Sequence, residues 1–328
     1  MIMGKGPIYI GDFPLPVYLY TLSAGITPTL EFAKKRLAEF GVNTGLACGH
    51  CCAYGFCRAM FRCHQAFPRL GLKPFNTSYA IVDPQAAIRV QRDARRKRRR
   101  GLIILGPASD AWSPEAQHFG LGRSCAEAIL SEPGWTLRVL TKNGAVQRDF
   151  DLFQRHRDRV LVGLSTTFLP SDTKAGQVIE PYASSPQERL DVLTEAHRRG
   201  LRTYGMLCPL IAPFYRTQEK VDQAFKAILS AEPEEIFAEV INPRGKGLIL
   251  TATALRAAGL MADADAVDGL RSQATWSAEA ARIIEMIVDA AKRLYDLERL
   301  RILVYPSRLT ERDEQVLRLI PKGLIWLR

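Results

Sequence analysis

The segment NTGLACGHCCAYGFCRAMFRCHQ, residues 43–65, holds Cys48, Cys51, Cys52, Cys57 and Cys63, five of the chain's seven cysteines. The other two, Cys125 and Cys208, stand singly. Sulfur-dense secreted domains are short and spread their cysteines along the chain as staples. This chain has 328 residues and an odd cysteine count. Adjacent Cys51 and Cys52 direct their side chains apart, so both cannot be ordinary staples. The opening MIMGKGPIYIGDFPLP lacks a basic region followed by an unbroken apolar core, and no apolar run approaches the roughly 18 residues of a membrane span. A cytoplasmic location with reduced thiols and no membrane partner is the expectation. Clustered reduced thiols point to a metal.

The spacing alone leaves the metal open. Structural zinc favours paired C-x2-C knuckles, or histidines at set distances. Here the pattern is C-x3-C-x4-C over Cys48, Cys52 and Cys57, with Cys51 and Cys63 in reserve and no second knuckle downstream. Three thiolates on one loop would leave a four-iron cluster with one iron lacking a protein ligand. Soft thiolates suit iron–sulfur as well as zinc. Buried core cysteines are the remaining reading, opposed by the glycine and polar residues between them.

The formal net charge is +11, and hydrophobic residues make up 47% of the chain, enough for a sizeable core. A basic balance suits a polyanionic partner but does not fix a fold. Much of the excess is local, in RVQRDARRKRRR, residues 89–100. That run follows a helix start at VDPQAAI and precedes the strand-like GLIIL. It reads as a helix end, where cations suit the dipole. It is either a solvated helix end or a phosphate-binding patch. No aromatic side chain is interleaved for base stacking.

Downstream the pattern alternates. Apolar runs at 101–105, 135–141, 159–165, 201–207 and 235–241 read as buried strands. Helical segments separate them: one from Ser113, one opened by Ser185-Pro186 and closed at Gly200, and one over 217–232. Such alternation predicts parallel pairing through right-handed crossovers, and about six units suit a partial barrel. Barrel function sits at strand C-termini, which selects GPASDAW (106–112), TKN (141–143), STT (165–167), CPLIAP (208–213) and NPRG (242–245). Residues 1–40 read as an N-terminal extension and 41–250 as the barrel. The stretch 251–328, with its long amphipathic helix and the segments RILVYP and GLIWLR, reads as a C-terminal cap packed on it.

These residues resemble the radical S-adenosylmethionine (SAM) superfamily, and within it the spore photoproduct lyase-like group. Asn43, Cys48, His50, Cys52 and Tyr54 match the group's cluster loop in order. VLTKN, VGLSTT, the EP-x-A-x-SP-x-x-RL segment beginning at Glu180, and NPRG match successive strand ends. The resemblance runs from about Gly41 to Gly245. It implies an α/β fold, a partial (β/α)6 barrel of radical SAM type, with a 4Fe–4S cluster on Cys48, Cys52 and Cys57. Cys57 lies two positions later than the group's third cysteine, so Cys51 and Cys63 are the substitutes. SAM would chelate the open iron. On reduction it would yield a 5′-deoxyadenosyl radical that takes hydrogen from a substrate, fed by an electron donor such as flavodoxin or ferredoxin. By resemblance Lys142 lies near the SAM carboxylate and Ser165 near its ribose or amino group. The same resemblance implies that Tyr54 packs on the adenine and that Cys208 and Pro209 line the adenine side. Asp110 and Arg244 either pair with one another or bind substrate.

Photoproduct lyases proper keep a hydrogen-donating cysteine in the loop after the second strand, and GPASDAW has none. Three functions follow: a radical SAM enzyme on DNA or RNA, engaged through Arg95–Arg100; one on a small molecule or peptide; or a non-enzymatic, zinc-stabilised nucleic-acid-binding protein.

Overall fold

Strand-forming runs of Val, Ile and Leu, bounded by glycine and polar turns, recur between amphipathic helices and lay down parallel β/α units. The computed structural model describes residues 6–55, 66–73, 78–243 and 245–327. It divides into two compact units: Met1–Gly163 with Glu180–Ser184 and Arg199–Arg202, and Leu164–Ile179 with Ser185–Arg198 and Thr203–Arg328. Among the described residues no closed barrel occurs, and no helix is long and apolar enough to cross a membrane.

In the first unit, β1 (Ile8–Ile10), β2 (Phe13–Leu19), β5 (Gly45–Ala47) and β6 (Ala80–Val82) form a sheet in the order β1-β2-β6-β5. Pro14 and Pro16 lack an N–H donor, and the β2–β6 ladder uses only Val17, Tyr18 and Leu19. The second sheet contains β3 (Thr27–Pro28), β4 (Phe40–Val42), β7 (Leu102–Leu105), β8 (Thr136–Thr141) and β9 (Val160–Leu164). Its order is β9-β8-β7-β4-β3, with the two-residue β10 (Arg202–Thr203) at the β9 edge. β4, β7 and β8 pair in parallel. Between them run α1 (Leu30–Lys34), α2 (Ala86–Arg96), α3 (Pro114–His118), α4 (Leu121–Leu130) and α5 (Phe150–Arg155). The segment from Ser113, read as one helix, is two. Gly120 takes φ 62°, a left-handed conformation that glycine adopts without strain, and breaks it.

In the second unit, α6 (Thr173–Ile179), α7 (Pro186–Arg198) and α8 (Gln218–Leu229) accompany β11 (Gly205–Leu210) and β12 (Ile236–Val240). After β12 come α9 (Gly247–Ala257), α10 (Met261–Gly269), the long α11 (Gln273–Leu294), β13 (Leu300–Val304), α12 (Glu311–Arg318) and β14 (Leu324–Trp326). Thr217 and Thr310 cap α8 and α12 by accepting N–H groups of the first turn. α11 buries Ala280, Ile284, Ile287, Val288 and Ala291 along one stripe. Its Arg293 grips Asp222 of α8 through two bonds of 2.7 Å.

One expectation changes. The run at 201–207 is interrupted at Tyr204, giving β10 and β11. The tail segments RILVYP and GLIWLR supply β13 and β14, which extend the parallel order β11-β12-β13-β14. The helices between β12 and β13 make a crossover, the ordinary route between parallel neighbours.

β5 leads straight into Cys48 and depends on Gly45. A Cβ at Gly45 would fall 2.0 Å from the Ile81 carbonyl oxygen across the β5–β6 pair. Gly45→Ala is expected to lower stability by at least about 1–3 kcal/mol, read as a shifted urea-unfolding midpoint with unchanged slope.

Candidate metal centre

The cysteine loop leaves β5 and turns sharply. Cys51 adopts φ 52°, uncommon and strained for a non-glycine residue. Its amide bonds the Cys48 carbonyl at 3.3 Å, and the Gly55 amide bonds the Cys52 carbonyl at 2.9 Å. The buried Cys51 sulfur lies 3.9 Å from the carbonyl oxygens of both Cys48 and Tyr79. Cys48 and Cys52 are half-buried. Cys57 and Cys63 lie outside the described residues, as does Arg244. Among the described residues no three His, Cys, Asp or Glu side chains converge as a metal-binding group.

His50 ties this loop to two strand ends. Its ring is 1% exposed. Nδ1 lies 3.3 Å from Asp110 Oδ2, and Nε2 lies 3.3 Å from Asn143 Nδ2. Asn143 Oδ1 accepts the Ala145 amide at 2.9 Å, which turns its NH2 toward His50. His50 therefore accepts at Nε2 and donates from Nδ1 to Asp110. Asp110 also accepts from the Trp112 amide at 2.8 Å, the Thr141 hydroxyl at 2.8 and 2.9 Å, and the Lys142 amide at 2.8 Å. Asn43 closes the set, since its Oδ1 accepts the amides of Ala108 and Ser109 at 2.9 and 3.2 Å. The ends of β4, β7 and β8 are thus joined through side chains of three strand-end loops.

Lys142 and Tyr54, which sequence reasoning treated as separate contacts, meet at Glu180. The Lys142 ammonium is 3.3 Å from Glu180 Oε1, and the Tyr54 hydroxyl donates to the same oxygen. Lys142 also lies over the Tyr54 ring, 5.6 Å from its centroid. The Glu180 side chain is fully buried. Its signal in the sequence was its place at the head of the EP-x-A-x-SP-x-x-RL segment.

The second unit holds the other two expected residues. Ser165, just past β9, forms an isolated parallel bridge with Met206, and its carbonyl accepts from Arg189 at 2.9 Å. The Cys208 carbonyl accepts from the Thr167 hydroxyl at 3.1 Å. The Cys208 thiol is 3.6 Å from Glu239 Oε2, while Glu239 Oε1 accepts the Tyr305 hydroxyl. Cys125 is fully buried in α4, and burial pushes its thiol up to about 12.

The basic run splits into tied and exposed members. Arg95 and Arg100 both face Glu132, at 3.4 and 3.5 Å, and Arg99 faces Glu39 at 3.4 Å. Arg96, at the end of α2, and Arg98, just beyond it, are exposed.

No protein-family model matches the chain. An uncharacterised protein of Methanocaldococcus jannaschii is 26% identical over 174 residues, which is 53% of this chain and 61% of that protein. One of Acidianus two-tailed virus is 24% identical, covering 65% of this chain and 71% of the viral protein. One of Mycobacterium bovis is 25% identical, covering 63% of this chain and 60% of its own length. The chain thus spans about three fifths of the archaeal and mycobacterial relatives. Among solved structures, a spore photoproduct lyase variant matches with a TM-score of 0.60 at 13% identity, covering 85% of this chain and 80% of that one. A second variant, with bound AdoMet and dinucleoside spore photoproduct, matches with a TM-score of 0.56 at 12% identity over the same shares. The fold is that of spore photoproduct lyase, a radical SAM enzyme, and the resemblance drawn from the motifs agrees with it.

Of the three expected cluster ligands the described residues include Cys48 and Cys52, both half-buried thiols of the type such a cluster needs, on either side of a turn that buries Cys51 against backbone carbonyls. Asp110→Ala would leave the Thr141 hydroxyl and the Lys142 amide without their buried acceptor. At about 1–3 kcal/mol for each of these two orphaned donors, a loss of about 2–6 kcal/mol is expected, measured by urea unfolding of the metal-free protein.

Proposed function

We propose that the chain is a radical SAM enzyme on a partial (β/α)6 barrel, with Cys48, Cys52 and Cys57 holding a 4Fe–4S cluster. The observation that carries the reading is the cysteine loop itself: it lies on the fold of spore photoproduct lyase and is fastened by His50 to Asp110 and Asn143 at successive strand ends. Lys142, Tyr54, Ser165 and Cys208 are the residues assigned to SAM. The cluster with SAM supplies, on reduction, a carbon-centred radical able to remove hydrogen from an unactivated substrate. This chain's residues do the rest. Glu180 holds Lys142 and Tyr54 in one place, so an ammonium and an aromatic face are presented together. Arg189 fixes the backbone at Ser165.

A nucleic-acid substrate is favoured by the +11 charge and by exposed Arg96 and Arg98. The related lyase structures carry a dinucleoside spore photoproduct. The photoproduct-lyase reaction itself is not carried over. The loop after β7 has no cysteine, and its Asp110 is committed to His50, Thr141 and the Lys142 amide.

The test is anaerobic reconstitution with iron and sulfide, then SAM and dithionite, with 5′-deoxyadenosine as the readout. Wild type is expected to form it. Cys48→Ala, Cys52→Ala and Cys57→Ala are each expected to lose the cluster and the product, whereas Cys51→Ala and Cys63→Ala retain both. A colourless zinc protein, or product formation in Cys48→Ala, contradicts the reading.

The substrate class has its own check. In filter binding to single-stranded DNA and RNA, the Arg96→Ala/Arg98→Ala double variant is expected to reduce the slope of log affinity against log salt by about 1.4. Wild-type affinity that does not respond to salt would instead favour a small-molecule or peptide substrate.

A further inference from the structure

Gly49, between Cys48 and His50, is held from two sides by residues that no cysteine motif contains. Its amide donates to both carboxylate oxygens of Glu115, each at 3.0 Å. Glu115 opens α3, is 1% exposed, and accepts the Ser113 hydroxyl at 2.6 Å. Burial pushes its pKa up to about 7, against the hydrogen bonds it accepts from Ser113, from the backbone at Glu115 and from Gly49. Of these, the Gly49 amide is the donor that reaches in from the cysteine loop. On the other side stands Phe13 of β2. A Cβ at Gly49 would fall 2.4 Å from Glu115 Oε2 and 2.6 Å from Phe13 Cζ, so any larger residue there would push these two side chains off the loop. Phe13 in turn meets the Tyr182 ring edge-on, with centroids 5.5 Å apart, two residues from Glu180.

We propose that Glu115 and Phe13 clamp the Gly49 peptide and thereby hold the cysteine loop ready for its metal. Glu115 is the positioning residue, and the N-terminal hairpin supplies the opposing wall. The loop contains the strained Cys51 turn and would relax if released. A fixed Gly49 keeps Cys48 and His50 in register with the Asp110 network. Residues 8–19, outside the stretch that resembles known families, so take part in the metal site. The inference rests on the proposed iron–sulfur reading and concerns the supporting shell, whose loss commonly costs about 10–100-fold in metal affinity.

The experiment is a chelator challenge on anaerobically reconstituted full-length protein, with iron release timed by absorbance and folding followed by circular dichroism. Glu115→Ala is expected to release iron about tenfold faster or more while melting as a folded protein. Glu115→Gln keeps a carbonyl acceptor for the Gly49 amide and is expected to restore slow release. Phe13→Ala, a truncation of a half-buried side chain, is expected to release iron faster than wild type and decides the matter if Glu115→Ala does not fold. Wild-type release rates in the folded alanine variants overturn the clamp. So does a Glu115→Gln variant as fast as a folded Glu115→Ala. A wild-type protein that binds no iron at all fails the cofactor reading instead, before any variant is compared.

Discussion

Asp110 is the group on which the rest of the site depends. One carboxylate accepts from the Trp112 amide in its own loop, the Thr141 hydroxyl and Lys142 amide at the end of β8, and the His50 ring in the cysteine loop. Buried carboxylates are stable only when their acceptor sites are filled. Filling them here brings three loops to one point. The hydrogen bonds from His50 and Asn143 fix the histidine tautomer, and Asn43 holds the backbone at Ala108 and Ser109. The cysteine loop therefore rests on a strand-end network.

A second polar centre lies beside it in the same unit. Glu180 is buried and takes both the Lys142 ammonium and the Tyr54 hydroxyl. A buried carboxylate–ammonium pair adds little stability once desolvation is counted, but it specifies position. Here it sets a cation and an aromatic ring side by side. In the second unit, Cys208, Glu239 and Tyr305 form a comparable polar group across β11, β12 and the end of β13.

The β/α alternation was legible because Val, Ile and Leu runs such as 102–105 and 160–164 are bounded by clear helix caps and glycine stops. The break at Gly120 was less visible, since Phe119 and Leu121 continue the apolar pattern through it. The pairing of the tail was not legible because RILVYP and GLIWLR carry no mark of their partners. That β13 joins β12 and β14 joins β13 is a long-range choice that local pattern does not encode. At the site, the family resemblance supplied Lys142 and Tyr54 as separate candidates, and the spacing singled out Cys48 and Cys52. It could not foresee Glu115, which reads as an ordinary first-turn acid of a helix, or Phe13, which reads as one more strand residue. Their importance comes from contacts with Gly49 across 66 residues of sequence for Glu115 and from β2, two strands away in the β1-β2-β6-β5 sheet that leads into the cysteine loop, for Phe13.

The central claim is that the loop of Cys48 and Cys52 holds an iron–sulfur cluster with one iron open to SAM. The most direct measurement is the electron paramagnetic resonance spectrum of the anaerobically reconstituted, dithionite-reduced protein, recorded with and without SAM. The account predicts a reduced 4Fe–4S signal whose g-values shift when SAM is added. A protein that gives no iron–sulfur signal, or one whose cluster signal is unmoved by saturating SAM, contradicts it.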